Sequence, residues 1–328
     1  MVVLAGTSPF VDTLFAIMTV LTACGCFLVG ISLMSRGFVQ ASMRSTSFFT
    51  RGFNCRNRFE GAGFGLLYTT VVQSSDVTSV TLVRLTDIGT ITLFQACACL
   101  IGANIGTTIT TFIASLSGFK FLIPIFSFFA FVGAIPLLSK KRPLKIFGEV
   151  VAGFGILFIG LSLLSNAVEA QSFRDVVGVL FSFTDNPLIL IGIAVIFTMI
   201  VQSSSVVTAM VVFLSLSGLL PLPSALSLVV GANIGTCFTS WIAAIGSSRN
   251  ARRTATFHTL YNVVGAAIFL VVMFTPLREP VLEWVEALNI NVEFKVALFH
   301  LVFNLAAALV MIPLLRPSVW LCKKIVRH

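Results

Sequence analysis

The sequence predicts an all-α polytopic membrane protein made of two inverted-topology repeats, each holding a re-entrant helical hairpin. Three observations predict this. Only 10% of the 328 residues are charged and 57% are hydrophobic, with a mean hydropathy of +1.04, whereas a soluble domain carries about 25% charge. Several apolar runs reach the ~20 residues that span a bilayer core. The chain also repeats itself. Gln73-Ser74-Ser75 returns as Gln202-Ser203-Ser204, and Gly102-Ala103-Asn104-Ile105-Gly106-Thr107 returns as Gly231-Ala232-Asn233-Ile234-Gly235-Thr236, both at an offset of 129. A fainter echo, Gly30, Ser32, Leu33 and Ser35 as Gly160, Ser162, Leu163 and Ser165, has an offset of 130. Continuous rather than alternating apolar runs exclude a membrane β-barrel.

The elements follow in order. Apolar runs at roughly 11–35, 91–115, 120–139, 146–165, 222–246, 254–275 and 295–315 give about seven full transmembrane helices. Four further runs are short and come in pairs, 61–72 with 77–84 and 188–201 with 206–218, and each pair flanks one Gln-Ser-Ser motif. Twelve helical residues rise about 18 Å, little more than half of a ~30 Å core, so each pair reads as a hairpin that enters and leaves on one side. Repeat 1 is placed at 1–139, with its hairpin at 61–90. Repeat 2 is placed at 140–316, with its hairpin at 188–218, and 317–328 is a basic tail. The last span, 295–315, has no counterpart in the first half.

The net charge of +9 does not point to nucleic acid, because the basic residues sit in short loops between apolar runs. That pattern marks cytoplasmic loops. Arg36, Arg44, Arg51, Arg56 and Arg58 put segment 36–60 inside. Lys140, Lys141, Arg142 and Lys145, then Arg249, Arg252 and Arg253, then Arg316, Lys323, Lys324 and Arg327 mark three more inside segments, with Arg84 at the foot of the first hairpin. Glu169, Asp175 and Asp185, and Glu279, Glu283, Glu286 and Glu293, fall outside. The first hairpin then enters from the cytoplasm and the second from outside. The expected address is the cell (inner) membrane, multi-pass, with the N-terminus outside and the C-terminus cytoplasmic. No basic stretch precedes the first apolar run, so the first 35 residues do not read as a cleaved signal.

Polar motifs duplicated inside apolar sequence point to a transporter whose site lies where the halves meet. Tips of Gln-Ser-Ser-Asp (73–76) and Gln-Ser-Ser-Ser (202–205) offer hydroxyls, amides and the free N–H groups of the following half-helix, which suit an anion. Their oxygens, with freed carbonyls, suit Na⁺. The plainer role is N-capping, which the duplication makes insufficient. Gly-Ala-Asn-Ile-Gly-Thr contains the Gly-x-x-x-Gly spacing of close helix packing. Packing leaves Asn104 with Thr107, and Asn233 with Thr236, three residues apart on one face; polar faces at depth turn toward a cavity or partner. His258–Asn262 and His300–Asn304 read as interhelical hydrogen-bonding pairs, with proton handling by a histidine as the alternative. Asp76 occupies the tip itself, as a Na⁺ ligand, a proton acceptor or an N-cap. The seven cysteines lie mostly in apolar runs and read as small buried hydrophobes. The three histidines show no zinc-type spacing.

The paired Gln-Ser-Ser motifs, the paired Gly-Ala-Asn-Ile-Gly-Thr motifs and Ala251-Arg252-Arg253-Thr254-Ala255-Thr256-Phe257-His258 resemble the type II sodium-dependent phosphate cotransporters, in a compact bacterial-type form. The resemblance covers roughly 20–315. It implies Na⁺-driven uptake of inorganic phosphate by alternating access, with no enzymatic activity and no cofactor beyond Na⁺ as coupling ion. It implies that Gln73, Ser74, Ser75, Gln202, Ser203, Ser204 and Ser205 bind phosphate. Asp76, Ser75, Asn104, Thr107, Ser204, Asn233 and Thr236 are the candidate Na⁺ ligands. The implied partners are phosphate, Na⁺ and the bilayer, with homo-oligomerisation left open and no nucleic acid.

One position departs from that family, whose first tip is usually Gln-Ser-Ser-Ser. A carboxylate at Asp76 repels an anion about 4 Å away by about 4 kcal/mol at an effective dielectric of 20. Either Asp76 recruits a cation, or the substrate or direction differs, or the residue traps one state. Transport of another oxyanion or small carboxylate, phosphate export and a passive anion channel therefore stay open. An intramembrane serine enzyme needs a base in reach of the serine, and neither His258 nor His300 is near a tip in sequence.

Overall fold

The computed structural model describes residues 9–43, 52–168, 171–182 and 184–327. Arg44, Arg51 and Glu169, used above to assign sides, and the N-terminal residues 1–8 lie outside the described residues. Among the described residues every regular element is helical. Six helices are long and apolar enough to cross a membrane: Thr13–Ala41, Leu93–Gly118, Arg142–Ala167, Leu222–Ala244, Arg249–Met273 and Val292–Met311. Leu21, Phe128, Phe131, Ile196, Ile200 and Leu309 stay exposed on their helices, a pattern that suits hydrocarbon rather than water. The chain is a helical membrane protein.

In chain order the helices are α1 (Pro9–Met43), α2 (Arg58–Val72), α3 (Ser75–Asp87), α4 (Leu93–Ser115), α5 (Leu122–Leu137), α6 (Arg142–Val168), α7 (Gln171–Ser182), α8 (Pro187–Val201), α9 (Ser204–Leu216), α10 (Leu222–Gly235), α11 (Cys237–Ala244), α12 (Arg249–Met273), α13 (Arg278–Ala287), α14 (Val292–Met311) and α15 (Leu315–Ile325). Local sequence fixes their starts. Asn57 accepts from the N–H groups of Phe59 and Glu60 to open α2. Thr92 and Gln95 form a reciprocal capping box at α4. Asn186 caps α8 with Pro187 in its first turn.

Two expectations need correcting. The expected span 120–139 is α5, a helix of 16 residues that rises about 24 Å, short of a ~30 Å core. α1 does not stop at residue 35: no proline interrupts it, and it carries Arg36 inside a helix rather than in a loop. The span 222–246 holds as one membrane-crossing stretch, Leu222–Ala244, with a turn at Thr236 between α10 and α11. The tail at 317–328 is largely α15, which buries Leu315, Val319 and Cys322 and leaves Lys323 and Lys324 in its last turn. α7 and α13 fall between the apolar runs and carry no long apolar stretch.

Glycines set the packing. α1 and α6 lie antiparallel, with Gly30 against Gly153 and Leu157, and Gly160 against Ala23 and Phe27. A methyl on Gly102 would collide with the Ala62 carbonyl of α2, and one on Gly231 with the Ile191 carbonyl of α8. The duplicated Gly-x-x-x-Gly therefore presses α4 onto α2 and α10 onto α8. Cores form on both sides of these contacts: Phe27, Phe158, Leu161 and Phe213 in one, and Tyr68, Leu82, Ile101, Phe257 and Tyr261 in another.

Candidate functional site

Each Gln-Ser-Ser motif is a place where one short helix stops and another begins. Gln73 closes α2 at φ 58°, ψ 24°, and Gln202 closes α8 at φ 56°, ψ 30°. They are the only non-glycine residues with positive φ among the described residues, and L-residues adopt that conformation at a cost. Each glutamine N–H donates back into its helix, to Thr69 O and Thr198 O respectively, both at 2.7 Å. The next residues are extended, Ser74 at φ −149°, ψ 111° and Ser203 at φ −154°, ψ 109°, and they begin α3 and α9. The repeat is thus a repeat of backbone geometry. It continues past the second arm, where Gly89 and Gly218 take φ of 73° and 72°.

The side chains of the two tips differ. Gln73 is buried: its Oε1 accepts from Thr110 Oγ1 at 3.0 Å, and its Nε2 donates to Thr70 O. Gln202 is exposed. Thr239, which stands in the second half where Thr110 stands in the first, donates instead to Asp76 Oδ1 at 2.9 Å. Ser74 accepts from Val77 N–H at 3.2 Å, whereas Ser203 makes no side-chain cap.

Both tips face one cavity of about 420 Å³. Ser74 and Asp76 line it from the first tip, Gln202 and Ser203 from the second, and Ser32, Ser35 and Arg36 from α1. The other expected site residues, Gln73, Ser75, Ser204, Ser205, Asn104, Thr107, Asn233 and Thr236, are buried and do not line it. Asn104 donates to Leu100 O at 2.8 Å and Thr107 to Ala103 O at 3.0 Å, so both are bonded within α4. Asn233 reaches further: its Oδ1 meets His300 Nε2 at 3.1 Å, and His300 Nδ1 meets Thr111 Oγ1 at 2.8 Å. Ser204 Oγ and Asn233 Nδ2 are buried without a partner. Such atoms cost free energy unless a bound group satisfies them.

The histidines act between helices. His258 Nδ1 meets Ser240 Oγ at 2.7 Å, joining α12 to α11. Ser240 is the repeat counterpart of Thr111, so His300 on α14 does for α4 what His258 does for α11. The packing agrees: α3 lies against α11 and α12, and α9 lies against α4 and α14. Neither histidine bonds a tip serine.

Sequence reasoning missed three participants. Thr110 and Thr239 sit 37 positions after their glutamines, a regularity visible only once the glutamines are read as bonded side chains. Arg36 belongs to the basic segment 36–60 by charge but lies within α1. The spacing of Ser32, Ser35 and Arg36, three and four residues apart on one helical face, was the available signal.

The sequence matches the Na⁺/Pi-cotransporter family twice, over residues 26–166 and 162–301. It is 30% identical over 251 residues to the uncharacterized protein YqeW of Bacillus subtilis, covering 76% of this chain and 78% of that one. It is 30% identical over 268 residues to YjbB of Escherichia coli K12, named for a proposed role in inorganic phosphate export; this covers 81% of this chain but 47% of YjbB, so the chain spans about half that relative's length. Sodium-dependent phosphate transport protein 2A of Rattus norvegicus is 33% identical over 151 residues, 41% of this chain and 23% of that protein. No solved structure matches. Two tandem matches, laid over two tips of one backbone geometry, place this chain in the Na⁺/Pi-cotransporter family.

Proposed function

We propose that this chain is a secondary transporter that carries inorganic phosphate with Na⁺ as the coupling ion, by alternating access. The single observation behind this reading is the cavity lined by both Gln-Ser-Ser tips. Two helix N-termini begin there, and unsatisfied N–H groups with the positive end of the helix dipole favour an oxyanion. Ser74, Gln202 and Ser203 are in place to touch phosphate. Gln73, Ser75, Ser204 and Ser205 are buried next to them in the chain, and in this reading they join the site when a tip moves. Asp76, Ser75, Asn104, Thr107, Ser204, Asn233 and Thr236 are the oxygen-bearing set assigned to Na⁺. Nothing in this reading calls for bond cleavage or a further cofactor.

In this reading the two helical hairpins are re-entrant and the halves are inverted, α2–α3 entering from one face and α8–α9 from the other. The chain is a multi-pass protein of the cell inner membrane with its C-terminus in the cytoplasm. Maleimide labelling of Gly89→Cys and Gly218→Cys from each side of sealed vesicles tests this. Labelling of both from one side would refute the inversion.

The name of YjbB favours a second reading, export of phosphate through the same site. Direction is set by gradients, so one experiment addresses both. Proteoliposomes are loaded with radiolabelled phosphate on one side under inward, outward or no Na⁺ gradient. Accumulation that follows the Na⁺ gradient is expected. Flux indifferent to Na⁺ would refute coupling and favour a passive pathway. Inhibition by sulfate or dicarboxylates stronger than by phosphate would reassign the substrate.

A further inference from the structure

We infer that Arg36 is the fixed countercharge of Asp76 across the cavity, and that this pair lets a tip bearing a carboxylate accept an oxyanion. The inference rests on the reading of the cavity as a phosphate site and names what tunes that site. Among the residues lining the cavity Arg36 is the one base and Asp76 the one acid. They share its wall without forming an ion pair, and Arg36 is exposed to it with no hydrogen bond among the described residues.

The internal repeat supplies an independent argument. At the offset of 129, Asp76 stands where the second half has Ser205. At the offset of 130 that relates Ser35 to Ser165, Arg36 stands where the second half has Asn166. At these two positions the first half carries opposite charges where the second half is neutral, and both charges line the same cavity. A carboxylate in the first turn of α3 weakens the attraction of that N-terminus for an anion. A guanidinium lining the same cavity restores it, because opposite charges near a protein surface attract more strongly than in bulk water. A guanidinium also stays charged at every physiological pH.

The test is phosphate binding to the purified full chain in detergent, by calorimetry at saturating Na⁺, with inorganic phosphate as probe. Four proteins are compared with the unaltered one: Arg36→Gln, Arg36→Lys, Asp76→Ser and the double variant Arg36→Gln/Asp76→Ser. Thermal unfolding confirms that each is folded. Arg36→Gln is expected to weaken binding about 10- to 100-fold, the worth of one charged interaction. Arg36→Lys should bind close to the unaltered protein, since the charge is kept, which a purely structural role for Arg36 would not predict. In the Asp76→Ser background Arg36→Gln should cost several-fold less. Equal cost in both backgrounds, or no cost in either, overturns the pairing while leaving the phosphate site standing. Absence of phosphate binding by the unaltered protein overturns the site and the pairing together.

Discussion

Thr239 donates to Asp76 across 163 residues at 2.9 Å, while its repeat counterpart, Thr110, donates to Gln73 within its own half at 3.0 Å. The Thr239 hydroxyl is thus shared between Asp76 and the Thr236 carbonyl, at 2.8 Å, rather than meeting Gln202, and Gln202 lines the cavity wall. Thr239→Val is expected to destabilise the protein by about 1–3 kcal/mol, the cost of stripping a donor from a shielded acceptor, and by less in an Asp76→Ser background. Thermal unfolding in detergent measures this. Equal losses in the two backgrounds would show that the hydroxyl does not serve Asp76.

Gln202 combines a conformational burden with a chemical opportunity. Its left-handed backbone costs an L-residue about 1–2 kcal/mol, which glycine avoids. Gln202→Gly should be at least as stable as the unaltered protein yet bind phosphate more weakly, whereas Gln202→Val should lose stability. Unchanged phosphate transport by the glycine variant would remove the amide from the list of ligands.

Gly102 and Gly63 lie on packed helices but face different surroundings. A methyl at Gly102 meets the Ala62 carbonyl, and one at Gly63 meets nothing within 4 Å. Gly102→Ala should cost about 1–3 kcal/mol or more through overpacking. Gly63→Ala should gain up to about 1 kcal/mol of helix propensity. Melting temperatures that move the same way for both would contradict the close α2–α4 contact.

Asp87 gives the fold a pH dependence. Its Oδ1 accepts from Ser248 N–H at 2.6 Å, and this bond, with help from Ser247, the Ser248 hydroxyl and Arg84, holds its carboxyl below the usual carboxylate range. A depressed value means the folded state favours the ionised form. The stabilisation is therefore complete above the unfolded value near 3.9 and is lost as pH falls through the lower folded value. The stability difference between the unaltered protein and Asp87→Asn should be constant at neutral pH and close under acid. A gap that widened on acidification would reverse the assignment.

Much of this was legible beforehand. Helix class and the two broken helical pairs followed from run length, because an apolar run of a dozen residues has few other uses in a bilayer. The tips were legible from duplication alone. Side-chain partnership was not. Gln73 and Gln202 are identical in sequence yet differ in burial, and the equivalent threonines Thr110 and Thr239 bond Gln73 and Asp76 respectively, pairings that span different distances in the chain. Arg36 was misplaced because charge was taken to end a helix, and helices tolerate arginine well. The amphipathic α7, α13 and α15 escaped because their apolar residues are periodic rather than continuous.

His300 closes on Thr111 from 189 residues downstream, and this has a consequence for biogenesis. Synthesis proceeds at about 5–20 residues per second, so α4 waits about 10–40 s for the helix that completes its polar face. The second half needs no such pause, since Ser240 and His258 are 18 residues apart. The same hydroxyl–histidine pairing is therefore completed late for the first half and early for the second.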